Sequence, residues 1–196
     1  MKKNGIMGGT FNPIHNGHLA LGQAAYEYCG LDEVWFMPSG VSYLKSQDDI
    51  VSGRHRLKMT ELAVRDTAHF KCSDMEVHRE GYTYTADTLL LLHEKYPEDM
   101  FYFIMGADSL DYFDKWRNPD IISSLCTILV VNRDEFTVED LKVKIHRIKQ
   151  LFPAEIHIVH CGKYDVSSTE IRNGEKLEDV LPEIKEYILE NHLYGL

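Results

Sequence analysis

Residues Gly8 to His18 read GGTFNPIHNGH, and this stretch decides how the rest of the chain is interpreted. Residues 3–7 before it are typical of a short strand, and the apolar positions after it recur at helical spacing. We therefore predict a strand-to-helix turn, with Asn16 as the N-cap of a helix that begins one or two residues later. The free N–H groups at such a helix start attract anions. Because His15 and His18 are three residues apart, both imidazoles can point at one phosphate group.

The composition predicts one acidic domain. With 196 residues and 44% apolar content, the chain is long enough for one sizeable core and short for two, so a single domain over residues 1–196 is expected. Lys and Arg total 21 against 31 Asp and Glu, which gives a formal net charge of −10. Proteins that bind nucleic-acid backbones usually present a basic face, so nucleic acid is not an expected partner.

Cysteine usage and hydropathy predict a cytoplasmic protein that does not bind membranes. The four cysteines form no C-x-x-C pair, which favours buried thiols in a reducing compartment over a zinc site or a disulfide framework. Lys2 and Lys3 resemble the start of a signal peptide, but no apolar segment follows them. The longest apolar runs are far below membrane-spanning length.

Hydrophobic periodicity predicts alternating strands and helices. Strands are expected at 33–37, 70–77, 100–105, 127–131 and 155–159, and helices at 54–63, 85–96, 137–152 and 181–192. The polar stretch 41–52 is predicted to be a mobile surface loop. This alternation is typical of an α/β fold, and we predict a single Rossmann-like, doubly wound parallel sheet with helices on both faces.

Ligands bind outside the carboxyl ends of the strands in such a sheet. Segments that follow predicted strand ends are therefore candidate site segments. They are the GGTFNPIHNGH stretch, residues 38–45, residues 106–108, Arg133 and residues 162–168.

A second candidate phosphate-binding segment is Val166–Arg172, which reads VSSTEIR. Ser167 and Glu170 have the spacing of a capping box, which would leave neighbouring N–H groups and hydroxyls available for phosphate oxygens. Arg172 adds a charge that can make two parallel hydrogen bonds. Alone, S-x-x-E indicates an ordinary helix cap, whereas together with HNGH it indicates phosphate binding.

The segment Gly106–Leu110, GADSL, follows the predicted strand at 100–105. Asp108 is placed to accept hydrogen bonds from ribose hydroxyls, and Gly106 lets a ligand approach the backbone. An N-cap role for Asp108 is equally compatible with these residues, and both roles can hold together.

These strings resemble a known superfamily. GGTFNPIHNGH resembles the T/H-x-G-H signature of nucleotidylyltransferases, whose histidine pair holds the phosphates of ATP, and SSTEIR resembles the S/T-x-x-I-R signature that grips the triphosphate from the opposite side. The strings GYTYTADTL at 81–89, FIMGADSL at 103–110 and VVNR at 130–133, with Trp116, are similar to bacterial nicotinate-nucleotide adenylyltransferases. The similarity covers essentially the whole chain.

The resemblance implies an activity and its residues. The activity is adenylyl transfer from ATP to nicotinate mononucleotide, giving nicotinate adenine dinucleotide and pyrophosphate in NAD biosynthesis, with Mg²⁺ carried mainly by the ATP phosphates and no dedicated metal ligands. The implied catalytic residues are His15, His18, Lys45 and Arg172. The implied ATP ligands are Gly8, Gly9, Thr10, Phe11, His15, His18, Gly106, Asp108, Arg133, Ser167, Ser168, Thr169 and Arg172. The implied ligands of nicotinate mononucleotide are Thr10, Lys45, Thr85, Asp108 and Trp116, although core packing is the alternative for Trp116.

Two positions depart from the family pattern. Asn12 stands where many relatives carry Asp, a change that an amide can accommodate in a turn. Val41–Lys45 replaces the family's Pro-Pro-His-Lys stretch, so Lys45 alone remains. The cluster Arg54, His55, Arg56 and Lys58 could replace the missing histidine, but we favour a solvated helix face for it.

The sequence leaves other functions open. Nicotinamide mononucleotide, or both acceptors, is the nearest alternative, and phosphopantetheine or cytidylyl transfer is disfavoured by the GYTYTADTL and GADSL strings. A non-catalytic nucleotide sensor is disfavoured by the intact HNGH and SSTEIR strings. The sequence leaves a homo-oligomer open.

Overall fold

The computed structural model of the protein describes residues 1–41, 50–133 and 136–196. Within these residues the chain forms six strands and seven α-helices. The strands are β1 (Lys3–Gly9), β2 (Glu33–Pro38), β3 (Phe70–Cys72), β4 (Met100–Gly106), β5 (Thr127–Asn132) and β6 (Ile156–His160). The helices are α1 (Asn16–Cys29), α2 (Gly53–Val64), α3 (Thr85–Lys95), α4 (Pro119–Leu125), α5 (Val138–Leu151), α6 (Ser168–Arg172) and α7 (Pro182–Glu190). None of the described helices is both long and apolar enough to span a bilayer.

The strands form one sheet in the order β3-β2-β1-β4-β5-β6. The pairs β1/β4, β4/β5 and β5/β6 are parallel. The sequence order reverses between β1 and β4, as in doubly wound sheets of the Rossmann type. The predicted α/β fold class is therefore confirmed.

The contacts within the chain define two compact units. The first comprises residues 1–7, 21–34 and 84–163, and the second comprises residues 8–20, 35–83 and 164–196. The assignment of residues 1–196 to a single domain stays a prediction.

The first unit is built on buried parallel strands. Phe101, Phe103 and Ile104 of β4 are each at most 5% exposed, as expected for a strand covered on both faces. Gly106 pairs with Val131, the last but one residue of β5. The segments that follow β4 and β5 therefore leave the sheet at the same edge.

Helix α5 shows how local capping sets an element boundary in this unit. It was predicted to begin at Thr137 but begins at Val138, because Thr137 is its N-cap. The Thr137 hydroxyl accepts the Asp140 N–H at 3.2 Å, and the Asp140 carboxylate accepts the Thr137 N–H at 3.3 Å. This capping box satisfies two backbone donors that a helix start leaves without partners.

The second unit has an aromatic core and a helix pair. The Phe36 ring of β2 contacts the rings of Phe11 and Phe70, at centroid distances of 6.2 and 4.9 Å. Helices α2 and α7 pack together, and Nδ1 of His55 lies 2.9 Å from the Tyr187 hydroxyl.

The strand predicted at 70–77 is much shorter, because β3 ends at Cys72. The Ser73 hydroxyl accepts the N–H of Met75 at 3.5 Å, and the Arg79 N–H donates to the carbonyl of Glu76 at 3.2 Å. These local bonds give the backbone an alternative to a strand ladder. The alternating pattern beyond Cys72 therefore belongs to a turn.

All four cysteines are free, and the prediction that they are buried holds for two of them. Cys126 and Cys161 are buried, whereas Cys29 and Cys72 are half-buried. Burial raises the pKa of both Cys72 and Cys126 to about 12, so these two thiols are protonated at neutral pH.

Candidate active site

The GGTFNPIHNGH stretch forms the turn between β1 and α1, as predicted. Phe11 has a φ of 48° and is 2% exposed, so its ring points into the second unit's core. A Cβ atom at Gly9 would lie 2.8 Å from that ring, which explains the glycine. A contact of Phe11 with ATP stays a prediction, and the buried ring leaves only the backbone of Phe11 for it.

Helix α1 begins at Asn16, one residue earlier than the predicted range allows. The residue before the helix is His15, whose carbonyl accepts the N–H groups of His18 and Leu19 at 2.9 and 3.3 Å. The prediction of Asn16 as the N-cap is therefore wrong. The motif histidine itself occupies the helix boundary.

His15 and His18 form a stacked pair. Their ring centroids are 3.8 Å apart with an interplanar angle of 33°. His15 is 4% exposed, whereas His18 is half-buried. The backbone N–H of His15 donates to Nδ1 of His18 at 3.2 Å. An N–H group can only donate, so Nδ1 of His18 is the acceptor and the neutral ring carries its proton on Nε2.

Gly17 is required by close packing and not by its backbone angles. A Cβ atom at this position would lie 3.0 Å from Nδ1 of His15 and 3.2 Å from Cγ1 of Val166. Val166 immediately precedes the SSTEIR string. We call residues 8–18 the histidine loop. The glycine of the H-x-G-H pattern thus allows the histidine loop and the second motif to meet.

The two predicted phosphate-binding motifs contact each other directly. The Ser168 hydroxyl donates to the Pro13 carbonyl at 2.9 Å, and Nη1 of Arg172 donates to the Asn12 carbonyl at the same distance. Ser168 and Arg172 are the first and last residues of α6. Helix α6 therefore supports the backbone of the histidine loop.

The predicted capping box at the start of α6 is confirmed. The Ser167 hydroxyl accepts the Glu170 N–H at 3.3 Å, and Glu170 accepts the Ser167 N–H at 2.8 Å. Hydrogen bonds from Lys176 and Ser167 lower the pKa of the half-buried Glu170 carboxyl. Glu170 Oε2 also lies 2.8 Å from the Ser167 hydroxyl, so that hydroxyl is engaged within the cap.

Arg172 uses its guanidinium group within the protein. Besides the bond to Asn12, Nη2 donates to the Thr169 hydroxyl at 3.2 Å. The side chain is half-buried beside the histidine loop. A phosphate contact by Arg172 would therefore share or exchange these bonds.

The position of Arg56 contradicts the prediction that the basic cluster at residues 54–58 is a solvated helix face. It is 3% exposed and donates to the backbone carbonyls of Thr10, Val51 and Gly40 at 2.8, 3.2 and 3.4 Å. Burial lowers the pKa of its guanidinium. A solvated helix face is thus wrong for Arg56, although Arg54 and Lys58 are exposed.

The structure thus places one group of predicted residues together in the second unit. This group comprises Gly8, Gly9, Thr10, Phe11, His15, His18, Ser167, Ser168, Thr169 and Arg172. Lys45 lies outside the described residues, as does most of the predicted loop at 41–52.

Another group lies in the first unit, where β4 and β5 end. Asp108 is exposed in a 3-10 helix, Ala107–Asp111, whose N-cap is Gly106. The N-cap interpretation of Asp108 is therefore wrong. A Cβ atom at Gly106 would lie 2.6 Å from an Asp108 carboxylate oxygen, so a larger residue here would displace this carboxylate from its position. Arg133 follows β5, at the sheet edge that Asp108 also occupies.

Trp116 and Thr85 also belong to the first unit. The Trp116 ring packs edge-on against Phe103 at 5.9 Å, so core packing is part of its role. Its Nε1 atom is buried and has no hydrogen-bond partner in the part of the chain that the structure describes. Thr85 is the first residue of α3, and the guanidinium of Arg117 lies 4.6 Å from the ring centroid of the preceding Tyr84. A hydrogen-bond donor, a helix start and a cation thus occur in one unit.

Sequence reasoning missed three contributors to the histidine loop. Arg56 was recognisable, because it falls on the buried stripe of α2 with Met59 and Ala63. Asn12, by contrast, was noted only as a departure. Its partner Tyr194, which donates to Asn12 Oδ1 at 3.1 Å, is 182 residues away in the sequence, and no local signal links them.

The residues described around the site do not form a metal centre of their own. Across residues 1–41, 50–133 and 136–196, no group of three or more His, Cys, Asp and Glu side chains could hold a metal ion. Imidazole, guanidinium, hydroxyl and N–H groups dominate the histidine loop and α6, and such groups suit phosphate oxygens.

Comparison with known proteins identifies the class. A family model described as cytidylyltransferase-like matches residues 6–174. The chain therefore belongs to this family of nucleotidyltransferases.

Its relatives place it more narrowly. The nicotinate-nucleotide adenylyltransferase of Bacillus subtilis is 38% identical over 199 residues, which cover 99% of each chain. A Lachnoclostridium phytofermentans protein named "Probable nicotinate-nucleotide adenylyltransferase" is 42% identical over 199 residues, 99% of this chain and 100% of the other. Within the family, the chain groups with the nicotinate-nucleotide adenylyltransferases, as the resemblance predicted.

A solved structure supports the fold independently. The nicotinic acid mononucleotide adenylyltransferase of Plasmodium falciparum, in complex with NaAD, superimposes with a TM-score of 0.80 at 22% identity. The match covers 100% of this chain and 98% of the other.

Proposed function

We propose that the protein transfers the adenylyl group of ATP to nicotinate mononucleotide, producing nicotinate adenine dinucleotide and pyrophosphate in NAD biosynthesis. The observation that carries this proposal is the direct contact between the two phosphate-binding motifs, through Ser168 with Pro13 and Arg172 with Asn12. A chance resemblance of two short strings would not require them to support each other in the fold.

In the proposed reaction, an oxygen of the acceptor's 5′-phosphate attacks the α-phosphorus of ATP. The bond between that phosphorus and the oxygen that bridges to the β-phosphate breaks, and pyrophosphate leaves. No side chain acts as a nucleophile. The enzyme contributes by positioning the reactants and by stabilising the charge that develops on phosphate oxygens.

The histidine pair is proposed to supply the main part of this stabilisation. Because Nδ1 of His18 accepts the His15 N–H, we propose that Nε2–H of His18 donates to a phosphate oxygen when ATP binds. We propose that His15, Arg172 and Lys45 assist as phosphate ligands. Gly8, Gly9, Thr10, Phe11, Ser167, Ser168 and Thr169 would surround the triphosphate through backbone N–H and hydroxyl groups.

Gly106, Asp108 and Arg133 are proposed to bind the nucleoside part of ATP. The Asp108 carboxylate is exposed and can accept hydrogen bonds from ribose hydroxyls. Both Asp108 and Arg133 follow strands at one edge of the parallel sheet, where ligands bind in this fold.

Mg²⁺ is proposed to accompany ATP. It would be held mainly by phosphate oxygens and water, in keeping with its preference for retaining several water ligands. The ion supplies charge neutralisation at the phosphates when bound. The donor groups around the histidine loop complement phosphate and are unsuited as direct ligands of this ion. The Asp108 carboxylate is proposed to contact the nucleoside part of ATP instead.

The acceptor is proposed to be the acid form, bound near Thr85 and Trp116, with contacts from Thr10, Lys45 and Asp108. A pyridine carboxylate offers only acceptors, and the Trp116 Nε1–H is a buried donor with no protein partner in the described chain. The start of α3 at Thr85 and the Arg117 cation stacked on Tyr84 add positive potential in the same unit. An amide would turn its own N–H groups towards these donors.

Experiment can distinguish the proposed function from one alternative acceptor and from one alternative class of protein. Nicotinamide mononucleotide would replace the acid form if the donors near Trp116 did not contact the pyridine substituent. A non-catalytic nucleotide sensor would bind ATP without releasing pyrophosphate.

The test is to incubate the purified protein with ATP and Mg²⁺, separately with nicotinate mononucleotide, nicotinamide mononucleotide and phosphopantetheine, and to follow pyrophosphate. The proposal expects rapid release with the nicotinate acceptor only. The proposal would be refuted if pyrophosphate were released only with phosphopantetheine as the acceptor, or only when CTP replaced ATP. ATP binding without release in any mixture would favour the sensor.

The cytoplasmic location stays a prediction, as do the lack of nucleic-acid and membrane partners and the possibility of a homo-oligomer.

A further inference from the structure

The last turn of the chain contacts the histidine loop through one side chain. Leu193–Gly195 form a 3-10 turn after α7, and the Tyr194 hydroxyl donates to Oδ1 of Asn12 at 3.1 Å. The backbone N–H of Val51 donates to the same oxygen at 3.2 Å. Because an N–H group can only donate, the acceptor atom of Asn12 is its oxygen. One buried amide oxygen, in a residue that is 5% exposed, thus joins three segments of the chain.

The backbone of this turn is held in a conformation that L-amino acids rarely adopt. Tyr194 has φ 62° and ψ 11°, and His192 has a φ of 48°. Both residues lie in the left-handed region, which non-glycine residues keep only where the surrounding structure holds them there. The hydrogen bond from Tyr194 to Asn12 is one such constraint.

The Tyr194 hydroxyl is part of a set of donors around the histidine loop. Arg56 donates to the Thr10 carbonyl at 2.8 Å and Arg172 donates to the Asn12 carbonyl at 2.9 Å. Burial raises the pKa of Tyr194 well above its ordinary value, although the nearby charges of Arg172 and Arg56 act in the opposite direction. The hydroxyl therefore keeps its proton at neutral pH and remains a donor.

We propose that Tyr194 is a positioning residue for adenylyl transfer, which fixes the Asn12 side chain and thereby the loop that carries His15 and His18. The proposal rests on the proposed function. Asn12 is held at two points, its carbonyl by Arg172 and its side chain by Tyr194 and Val51. Loss of the Tyr194 bond would leave the Asn12 side chain held by the Val51 N–H alone, and the loop could then shift about the Arg172 contact. Small displacements of catalytic donors slow the reaction much more than they weaken substrate binding.

Tyr194→Phe tests this, because it keeps the ring and removes only the hydroxyl. Its matched control is Tyr187→Phe, which removes a tyrosine hydroxyl that lies 2.9 Å from Nδ1 of His55 in the same unit and has no hydrogen bond to residues 8–18 in the part of the chain that the structure describes. We expect Tyr194→Phe to lower kcat about tenfold with little change in KM for ATP. Tyr187→Phe should keep the parent kcat, although both variants lose one hydrogen bond and a similar amount of thermal stability.

A double-mutant cycle with Asn12→Ala shows whether Tyr194 acts through Asn12. Asn12→Ala alone should reproduce the selective loss of kcat, and adding Tyr194→Phe should then change kcat by less than about twofold. If Tyr194→Phe proves insoluble, Asn12→Ala removes the Tyr194 bond from its other side, together with the Val51 bond, and is judged by the same criterion. A kcat for Tyr194→Phe equal to that of Tyr187→Phe, or an undiminished effect of Tyr194→Phe in the Asn12→Ala background, would overturn the proposal.

The parent protein separates this outcome from a failure of the proposed function. If the parent releases no pyrophosphate with nicotinate mononucleotide, the proposed function fails. If the parent is active and Tyr194→Phe matches it, only the positioning role of Tyr194 fails.

Discussion

The backbone N–H of His15 donates a hydrogen bond to Nδ1 of His18 at 3.2 Å, immediately before helix α1 begins. This bond gives His18 two separable functions. Nδ1 holds the backbone at the helix start, and Nε2–H is the proposed donor to a phosphate oxygen. A helix-capping role and a catalytic role are therefore compatible, and they belong to different atoms of one ring.

Substitutions of His18 can separate these two functions. His18→Asn keeps an acceptor near the position of Nδ1 and removes the Nε2 donor, whereas His18→Gln places an amide N–H near the position of Nε2. We expect His18→Asn to lower kcat by about 100-fold or more, roughly 2.7 kcal/mol, because that is the scale for loss of one donor to transition-state charge. His18→Gln should retain more activity, and KM for ATP should change little in either variant.

Steady-state kinetics and thermal unfolding of both variants provide the check. If His18→Asn kept near-parent turnover, His18 would be a helix cap only, and its catalytic assignment would be lost.

Arg172→Lys should be costly although the positive charge is retained. The guanidinium bridges the Asn12 carbonyl and the Thr169 hydroxyl, and an ammonium group cannot reproduce that forked geometry while also meeting a phosphate. We expect kcat/KM for ATP to fall by about 10-fold to 100-fold, corresponding to one or two charge-assisted hydrogen bonds. Arg65→Lys is the control, because Arg65 is an exposed arginine of the same unit that pairs with Asp66 and Glu183. Equal activity of Arg172→Lys and Arg65→Lys would show that the SSTEIR segment is only a capped helix and does not bind phosphate.

Arg56→Leu should destabilise the fold. The buried guanidinium donates to three backbone carbonyls of half-buried residues, and its loss removes this donor from all three. A fully buried group without a partner costs about 1 to 3 kcal/mol, and because water can reach these half-buried carbonyls in part, we expect the free energy of unfolding to fall by about 2 to 5 kcal/mol, less than three full costs. Arg54→Leu, two positions earlier on an exposed site of the same helix, should change it by less than about 0.5 kcal/mol. Urea unfolding measures both values, and similar losses for the two variants would argue against the buried role of Arg56.

The capping box of α6 should contribute stability that depends on pH. The folded-state pKa of Glu170 is lowered, so its contribution is present above the unfolded value of about 4.3 and is lost as pH falls through the folded value. Glu170→Gln should therefore lower the thermal midpoint at neutral pH, and the difference from the parent should shrink below about pH 4.3. Midpoints recorded over a pH series test the sign. A difference that grew on acidification would contradict this account of the cap.

Much of the fold was predictable from local patterns. The apolar runs gave β4 and β5 nearly to the residue, and Pro97 correctly ended the helix that begins at Thr85. The doubly wound sheet was predictable because alternating strands and helices permit few topologies, whereas the order of its strands was not predicted. The strand predicted at 70–77 was too long, since β3 ends at Cys72 and local hydrogen bonds to Ser73 and Glu76 hold the following residues in a turn.

The candidate site was predictable as a set of residues and much less as a set of contacts. The spacing of HNGH and SSTEIR indicated phosphate binding, but nothing in the sequence indicated that Ser168 and Arg172 hold the backbone of the first motif. Asn12 illustrates the reason. Its partners Val51 and Tyr194 are 39 and 182 residues away, and contacts of such separation arise only in the folded chain.

The preference for nicotinate mononucleotide over nicotinamide mononucleotide depends on single hydrogen-bond donors in the proposed acceptor pocket. The donors near Trp116 should satisfy a carboxylate and leave an amide mismatched, at about 1 to 3 kcal/mol for each unpaired group. We therefore expect kcat/KM to favour nicotinate mononucleotide over nicotinamide mononucleotide by roughly tenfold to several hundredfold. Trp116→Phe should narrow that ratio, and Phe113→Leu, which alters the neighbouring packing without removing a donor, should preserve it.

The most direct test follows the α-phosphate of ATP. The parent protein, with Mg²⁺ and ATP labelled at that phosphate, is mixed with nicotinate mononucleotide or with nicotinamide mononucleotide, and the products are separated. The account predicts that the label enters nicotinate adenine dinucleotide, that pyrophosphate is released unlabelled in equal amount, and that the amide acceptor reacts far more slowly. Label that remained in ATP or appeared only in AMP with the nicotinate acceptor would contradict adenylyl transfer to that acceptor.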